Sequence, residues 1–212
     1  PRRTARARVA VPAAEAALLR ATARNCGTTL FGLMLALYFA TVHRLTGESD
    51  LAIGSLFANR LRPELHNTVG FLANVVVLRT VLSPGATYGT VVRAVHEELR
   101  EAFVHQQCPL HLLPGDVTAR GGRRADETVF QMLPQPLDGG RMGDVGIAMV
   151  APDVESRFDF EATVMVEQGD LALMVLWNEA RLSSDWVDRF LREYRASVSA
   201  VVRDPGAGVA RG

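Results

Sequence analysis

The stretch FDFEATVMVEQGDLALMVLW, Phe158 to Trp177, decides the fold. Phe158, Phe160, Ala162, Val164 and Val166 alternate with the residues between them, so they share one face of a strand. Gln168-Gly169-Asp170 is a short connection with a glycine for the positive φ that a tight hairpin needs. Leu171 to Trp177 then returns as a second strand. Two more strands precede the pair, Thr128 to Leu133 and Val145 to Val150. Beyond it, Ser183-Ser184-Asp185 caps a final helix that runs to about Val202, and Asp204-Pro205-Gly206 ends it.

The first half mixes both kinds of element. Arg6 to Val11 alternates charged and apolar residues, as a strand with one wet face does. Pro12 opens a helix that places Ala16, Leu19 and Ala23 at helical spacing and stops at Gly27. Thr28 or Thr29 caps the next helix, Leu30 to Leu45, whose faces are nearly all apolar, so it must be buried on most sides. Leu51 to Phe57 is a short strand, and Ala58 to Asn67, with Pro63, is a loop. Phe71 to Leu82 holds Val75, Val76, Val77 and Val81 and is expected as a strand buried on both faces. Thr87 caps a helix to about Gln107, with Val91, Val95, Leu99 and Phe103 expected inward. Pro109 stops it, and Pro114 to Asp126 is a loop. Helices mixed with strands, followed by a run of strands, predict an α/β two-layer sandwich on a mixed sheet rather than a doubly wound fold.

The 212 residues suit one domain or one lobe of a larger one. Lys+Arg and Asp+Glu balance at 23 each, and every basic residue is arginine. Zero net charge gives no global attraction to nucleic acid or to an anionic membrane. Two cysteines are too few for a disulfide framework, so a reducing, cytoplasmic setting is expected. The longest apolar stretch, Leu30 to Val42, has 13 residues, short of the ~20 that span a bilayer. The chain opens on Pro1 with no signal-peptide pattern, and a piece of a longer polypeptide is expected.

No phosphate-cradling loop, nucleophile elbow or paired-histidine zinc motif is present. The one dense cluster is His105-Gln-Gln-Cys108-Pro-Leu-His111. A metal site needs three or four converging ligands, and these straddle a helix end and a proline with no second pair elsewhere. A polar helix terminus, with Cys108 as a small buried apolar group, accounts for them without a metal. Arg120, Arg123 and Arg124 could clamp a phosphate, but such a run in a glycine-rich loop reads first as a solvated face. Asn59 and Arg60 follow an apolar strand, where loops often carry binding groups. Equally, Arg60 could pair with Glu64 and merely hold the loop.

The order of motifs adds a resemblance. Ile53-Gly-Ser-Leu-Phe-Ala-Asn-Arg60, Glu64, Val69-Gly-Phe-Leu-Ala-Asn74 and Val77-Leu-Arg79 resemble I-G-x-P-V-A-N-R…E…G-F-x-x-N…L-R of the condensation domains of nonribosomal peptide synthetases. His105-Gln-Gln-Cys-Pro-Leu resembles that family's H-Q-D-x-P-F, and Val129-Phe-Gln-Met its L-F-Q-V. Phe158-Asp-Phe, Trp177-Asn and the helix from Thr28 to Gly47 match as well. Leu56 replaces the usual proline, Gln107 the acid, Leu110 the phenylalanine and His111 the glutamate. The family's R-N-P is not recognisable around Asp126-Glu127-Thr128.

The resemblance implies a chloramphenicol-acetyltransferase-like lobe, the C-terminal one of a two-lobed domain, over residues 1–212. The family's H-H-x-x-x-D-G, which carries the base-like histidine, belongs to the N-terminal lobe and is absent from this chain. Implied partners are that N-terminal lobe and peptidyl or acyl carrier proteins. No cofactor is bound directly; substrates ride on carrier phosphopantetheine. No residue here is expected to be catalytic. Ser55, Asn59, Arg60, Asn74, His105 and Gln106 are the candidate tunnel or motif residues. Ser55 could reach an acceptor amine, Arg60 and Asn74 are expected to brace, and His105 is not expected to act as a base. A lobe of this kind is expected to expose an apolar face, with Val145 to Val150 crossing to the other lobe. The alternatives are a non-catalytic module that recruits carriers or tailoring enzymes, and a standalone acyltransferase half that uses coenzyme A.

Overall fold

The computed structural model describes residues 3–114, 119–120, 123–124, 127–133, 140–147, 155–167 and 170–209. Among these, six strands form one mixed sheet in the order β1-β10-β9-β6-β2-β3. They are β1 (Thr4–Val11), β2 (Asp50–Phe57), β3 (Asn74–Val81), β6 (Thr128–Leu133), β9 (Phe160–Glu167) and β10 (Asp170–Asn178). β9, β6 and β2 run parallel, and the remaining neighbours are antiparallel. Two small ladders lie apart, β4 (Ala119–Arg120) with β5 (Arg123–Arg124) and β7 (Gly140–Met142) with β8 (Val145–Ile147). The helices are α1 (Ala13–Asn25), α2 (Leu30–Thr46), α3 (Tyr88–His105) and α4 (Ser184–Arg203).

The two-layer arrangement follows from which side chains need cover. Ile53, Leu78, Phe130, Phe160, Ala162, Val164, Leu173, Val175 and Trp177 sit at alternate strand positions and join one core with the helices. α2 is central in the helical layer, packed against α1, α3, α4 and β6. That surround explains why Leu33 to Thr41 is buried without a break. Phe190 of α4 meets Tyr38, Phe160, Trp186 and Tyr194 at ring-centroid distances of 5.0–5.9 Å. Burial pushes the Tyr38 and Tyr194 phenols far up, so both stay neutral. The Tyr194 hydroxyl donates to the Met34 carbonyl at 3.0 Å.

Caps fall where the sequence puts them. Thr29 accepts from Gly32 N, Thr87 and Thr90 form a reciprocal capping box, and Ser183 accepts from Trp186 N. After α4 the chain returns across the start of α3. Gly89 N donates to Pro205 O, Val209 N donates to Ala86 O, and Val209 is fully buried.

Several expectations need correction. β3 starts at Asn74, not Phe71, and is not buried on both faces; it is an edge strand, and Val81 is 61% exposed. A β-branched run marks a strand without saying whether it is central or at an edge. Phe103 lies 55% exposed rather than inward. Steps of four advance about 40° beyond a full turn, so by the third step Phe103 has left the buried stripe and Ala102 has entered it. Cys108 is exposed, because α3 has ended before it. The described part of the Val145 strand, Val145–Ile147, pairs with Gly140–Met142 across a turn at Gly143, whose φ is 63°. Val145 therefore has a backbone partner in its own hairpin, while Met142 and Val145 expose their side chains. The remaining residues of that expected strand, 148–150, and the hairpin residues Gln168 and Gly169 lie outside the described residues.

Candidate functional site

The motif residues gather where β2 ends, β3 begins and α3 stops. β2 and β6 pair in parallel at Gly54↔Val129. One residue further on, the Ser55 hydroxyl donates to the Phe130 carbonyl at 2.8 Å. Ser55 is 1% exposed, so within this chain its hydroxyl is enclosed and engaged. It bonds a main-chain carbonyl where one parallel strand leaves the other.

Asn59 turns the chain out of the sheet with φ 53°, a left-handed conformation that asparagine tolerates better than most residues. Its Oδ1 is buried without a partner among the described residues. The turn lets Arg60 reach back over its own loop. The guanidinium donates to the carbonyls of Leu65, Thr68 and Gly70, the last two at 2.8 and 3.1 Å. Among the described residues, Glu64 takes part through its main-chain oxygen, which accepts from the Thr68 hydroxyl at 3.1 Å. The partners of Arg60 in this geometry are carbonyls of its own loop rather than the Glu64 carboxylate.

Asn74 forms a second clip. It sits opposite Phe57 in the β2–β3 ladder. Its Nδ2 donates to Gln106 O at 2.9 Å and to Cys108 O at 2.7 Å, both just past the end of α3. Gln106 is 2% exposed and folds its amide onto the Phe103 carbonyl at 2.8 Å. His105 is exposed at the helix end, and its carbonyl accepts from Cys108 N at 3.0 Å. The G-F-x-x-N and H-Q-x-x-P stretches, 31 residues apart between Asn74 and His105, are thus joined by one amide.

Asp50 escaped the sequence reading. It holds Arg79, the last residue of the L-R motif, through two hydrogen bonds of 2.8 Å, and this pairing raises the Arg79 pKa. The signal lay in the β2–β3 hairpin, since antiparallel pairing brings the start of β2 beside the end of β3. Around the clips, Val69, Phe71 and Leu112 are exposed at 100%, 86% and 67%, an apolar group at one end of the sheet. An open hollow of about 330 Å³ between the end of α1 and the start of α3, lined by Cys26 and Arg93, includes none of the motif residues. Among the described residues no three His, Cys, Asp or Glu side chains gather as a metal set, and no single helix is long and apolar enough to cross a membrane. Arg120 pairs with Arg123 in the small β4–β5 ladder.

Truncating Arg60 tests the first clip. The Thr68 and Gly70 carbonyls it serves lie near water, which would rehydrate them, so Arg60→Ala should cost only about 0.5–1.5 kcal/mol of global stability. Amide exchange in residues 60–70 should accelerate far more than in α2. Lysine should not substitute, because it lacks the planar fork that spans several carbonyls. Unchanged exchange in the loop of Arg60→Ala would show that the clip does not hold it.

The condensation domain family model matches residues 2–211. Phosphinothricin tripeptide synthetase PhsC of Streptomyces viridochromogenes is 30% identical over 210 residues, 95% of this chain and 19% of that protein. Chondramide synthase cmdD of Chondromyces crocatus is 29% identical over 189 residues, 86% of this chain and 5% of that protein. Among solved structures, SgcC5 of Streptomyces globisporus superposes with a TM-score of 0.81 at 26% identity, covering 98% of this chain and 50% of that one. The condensation domain of the monacolin K polyketide synthase MokA gives 0.83 at 22% identity, covering 98% and 49%. The chain thus spans about half of these solved chains and a fifth or less of the synthetases. A single family model runs nearly from end to end through the strands and motifs that the two clips tie together, and on that match the chain belongs to the condensation domains of nonribosomal peptide synthetases.

Proposed function

We propose that the chain is the C-terminal lobe of a condensation domain that joins two carrier-bound thioesters. The observation that carries this is coverage: nearly all of the chain aligns with half of SgcC5 and half of the MokA domain. The H-H-x-x-x-D-G stretch is also absent from these 212 residues. The lobe contributes one wall of a tunnel, a loop beneath it at residues 58–67, and a segment within residues 135–156 that crosses to the other lobe. Two carrier proteins deliver acyl donor and acceptor on phosphopantetheine arms, and no cofactor sits in the lobe itself.

In the reaction, the acceptor amine attacks the donor thioester carbonyl. The C–N bond forms, the tetrahedral oxyanion collapses, the C–S bond breaks, and the released thiolate ends as a thiol with the amine's proton. Holding two tethered substrates in line supplies much of the acceleration. Proton transfer belongs to the other lobe. Ser55 sets the strand that leads into the loop, Asn59 and Arg60 shape that loop, and Asn74 with Gln106 fixes the wall beside it. His105 is solvent-facing at the end of α3 and is given no proton to move. An alcohol acceptor is included in the proposal, because SgcC5, at 26% identity, was solved with a naphthyl ethanediol. A recruiting module is the second reading; the X-domain solved with OxyB shares the fold at a TM-score of 0.81.

The test uses the protein that carries this chain, a donor-loaded carrier, and an acceptor carrier loaded with an amine or a hydroxyl acid. The expected result is the donor mass appearing on the acceptor carrier. Retention of both loaded carriers unchanged, with either acceptor, would sink the catalytic proposal and leave the recruiting one.

A further inference from the structure

We propose that Asn74 is a positioning residue for the transfer reaction, fixing the loop of residues 60–73 to the end of α3. The proposal rests on the lobe function above and names one residue through which the wall is held.

The chemistry of the helix end makes the case. The last carbonyls of a helix have no partner within it. At the end of α3, the Phe103 carbonyl accepts from the Gln106 side chain and the His105 carbonyl from Cys108 N. Just past the helix, the carbonyls of Gln106 and Cys108 take the two hydrogens of the Asn74 amide. A side chain with two donors on one nitrogen meets that need; a carboxylate meets none of it. Asn74 is also the first residue of β3, so its backbone is anchored in the sheet opposite Phe57. From that anchor the chain runs back through Phe71, Gly70 and Val69 to the carbonyls that Arg60 holds. On the other side of the amide, the segment after α3 carries Leu112. Arg60 therefore shapes the loop, while Asn74 sets its distance from α3. The exposed Phe71 and Leu112, one on each side of the amide, owe their spacing to it.

The substitution Asn74→Asp keeps the size and removes both donors. It also sets a negative group against two carbonyls at the negative end of the α3 dipole. Alignment of tethered substrates is sensitive to displacements of about 1 Å. In the protein that carries this chain, Asn74→Asp should lower kcat by about 10-fold or more, with KM for the acceptor-loaded carrier changed by less than about 3-fold. Asn74→Gln, which keeps the donors on a longer arm, should recover part of kcat. Hydrogen exchange should accelerate together in residues 60–73 and 106–112 of Asn74→Asp. As a control for stability alone, Asn178→Ala removes an amide that bonds Asp159 at 3.1 Å, and should leave kcat per folded molecule within about 2-fold. A kcat of Asn74→Asp within 2-fold of wild type, or exchange that accelerates in only one of the two segments, overturns the proposal. If the wild-type protein transfers nothing, the lobe function fails instead, and the exchange comparison still decides whether Asn74 holds the two segments together.

Discussion

Phe190→Ala should cost about 3–5 kcal/mol of folding free energy, the range for truncating a buried aromatic. Phe190 is fully buried, and its ring meets four aromatic rings drawn from α2, β9 and α4. Neighbours held from three elements cannot all collapse into the vacated space, so a cavity term adds to the lost transfer energy. The melting midpoint should fall by roughly 6–20 °C for a chain of this size. Phe103→Ala is the matched comparison on an exposed site, expected to change stability by less than about 0.5 kcal/mol. Urea unfolding of the two variants measures both. A Phe103→Ala loss that rivals Phe190→Ala would mean that the inward stripe of α3 had been placed wrongly.

That pair of phenylalanines marks the limit of what the chain says about itself. Alternation in Phe160 to Val166 and the nearly all-apolar Leu30 to Leu45 settle the mixed sheet and the buried helix, because both patterns repeat over many residues. Phe103 misleads because a spacing of four fits α3 for two turns and then drifts off the core. The valines of β3 mislead for a different reason. They report local preference for extended backbone, whereas an edge position is decided by which strands end up beside it. The β7–β8 hairpin is too short for any period to register.

Residues of the candidate site were legible by type and order, not by partner. Arg60 reads as a brace or as a ligand until three carbonyls come within reach of its fork. Asn74 and Gln106 lie in separate motifs, and only the fold brings the Asn74 amide to the Gln106 carbonyl. Main-chain carbonyls are present at every residue, so no sequence pattern can mark the ones a side chain will choose. Asp50 is legible only once β2 is paired with β3, because its partner Arg79 lies 29 residues away in the sequence.

The largest effect on activity concerns the chain by itself. The proposal gives it a wall, a loop and a crossing segment, and gives the proton-transferring histidine to the other lobe. Loss of a general acid–base group costs 10²–10⁴-fold by itself. Loss of half the tunnel also removes the alignment of the two tethered substrates, which can carry several kcal/mol more. The direct measurement is single-turnover transfer between a donor-loaded and an acceptor-loaded carrier, with this chain alone and with the intact protein that carries it. The account predicts background transfer for the chain alone and at least about 10⁴-fold faster transfer for the intact protein. Transfer by the isolated, folded chain at a rate within about 10-fold of the intact protein would contradict it.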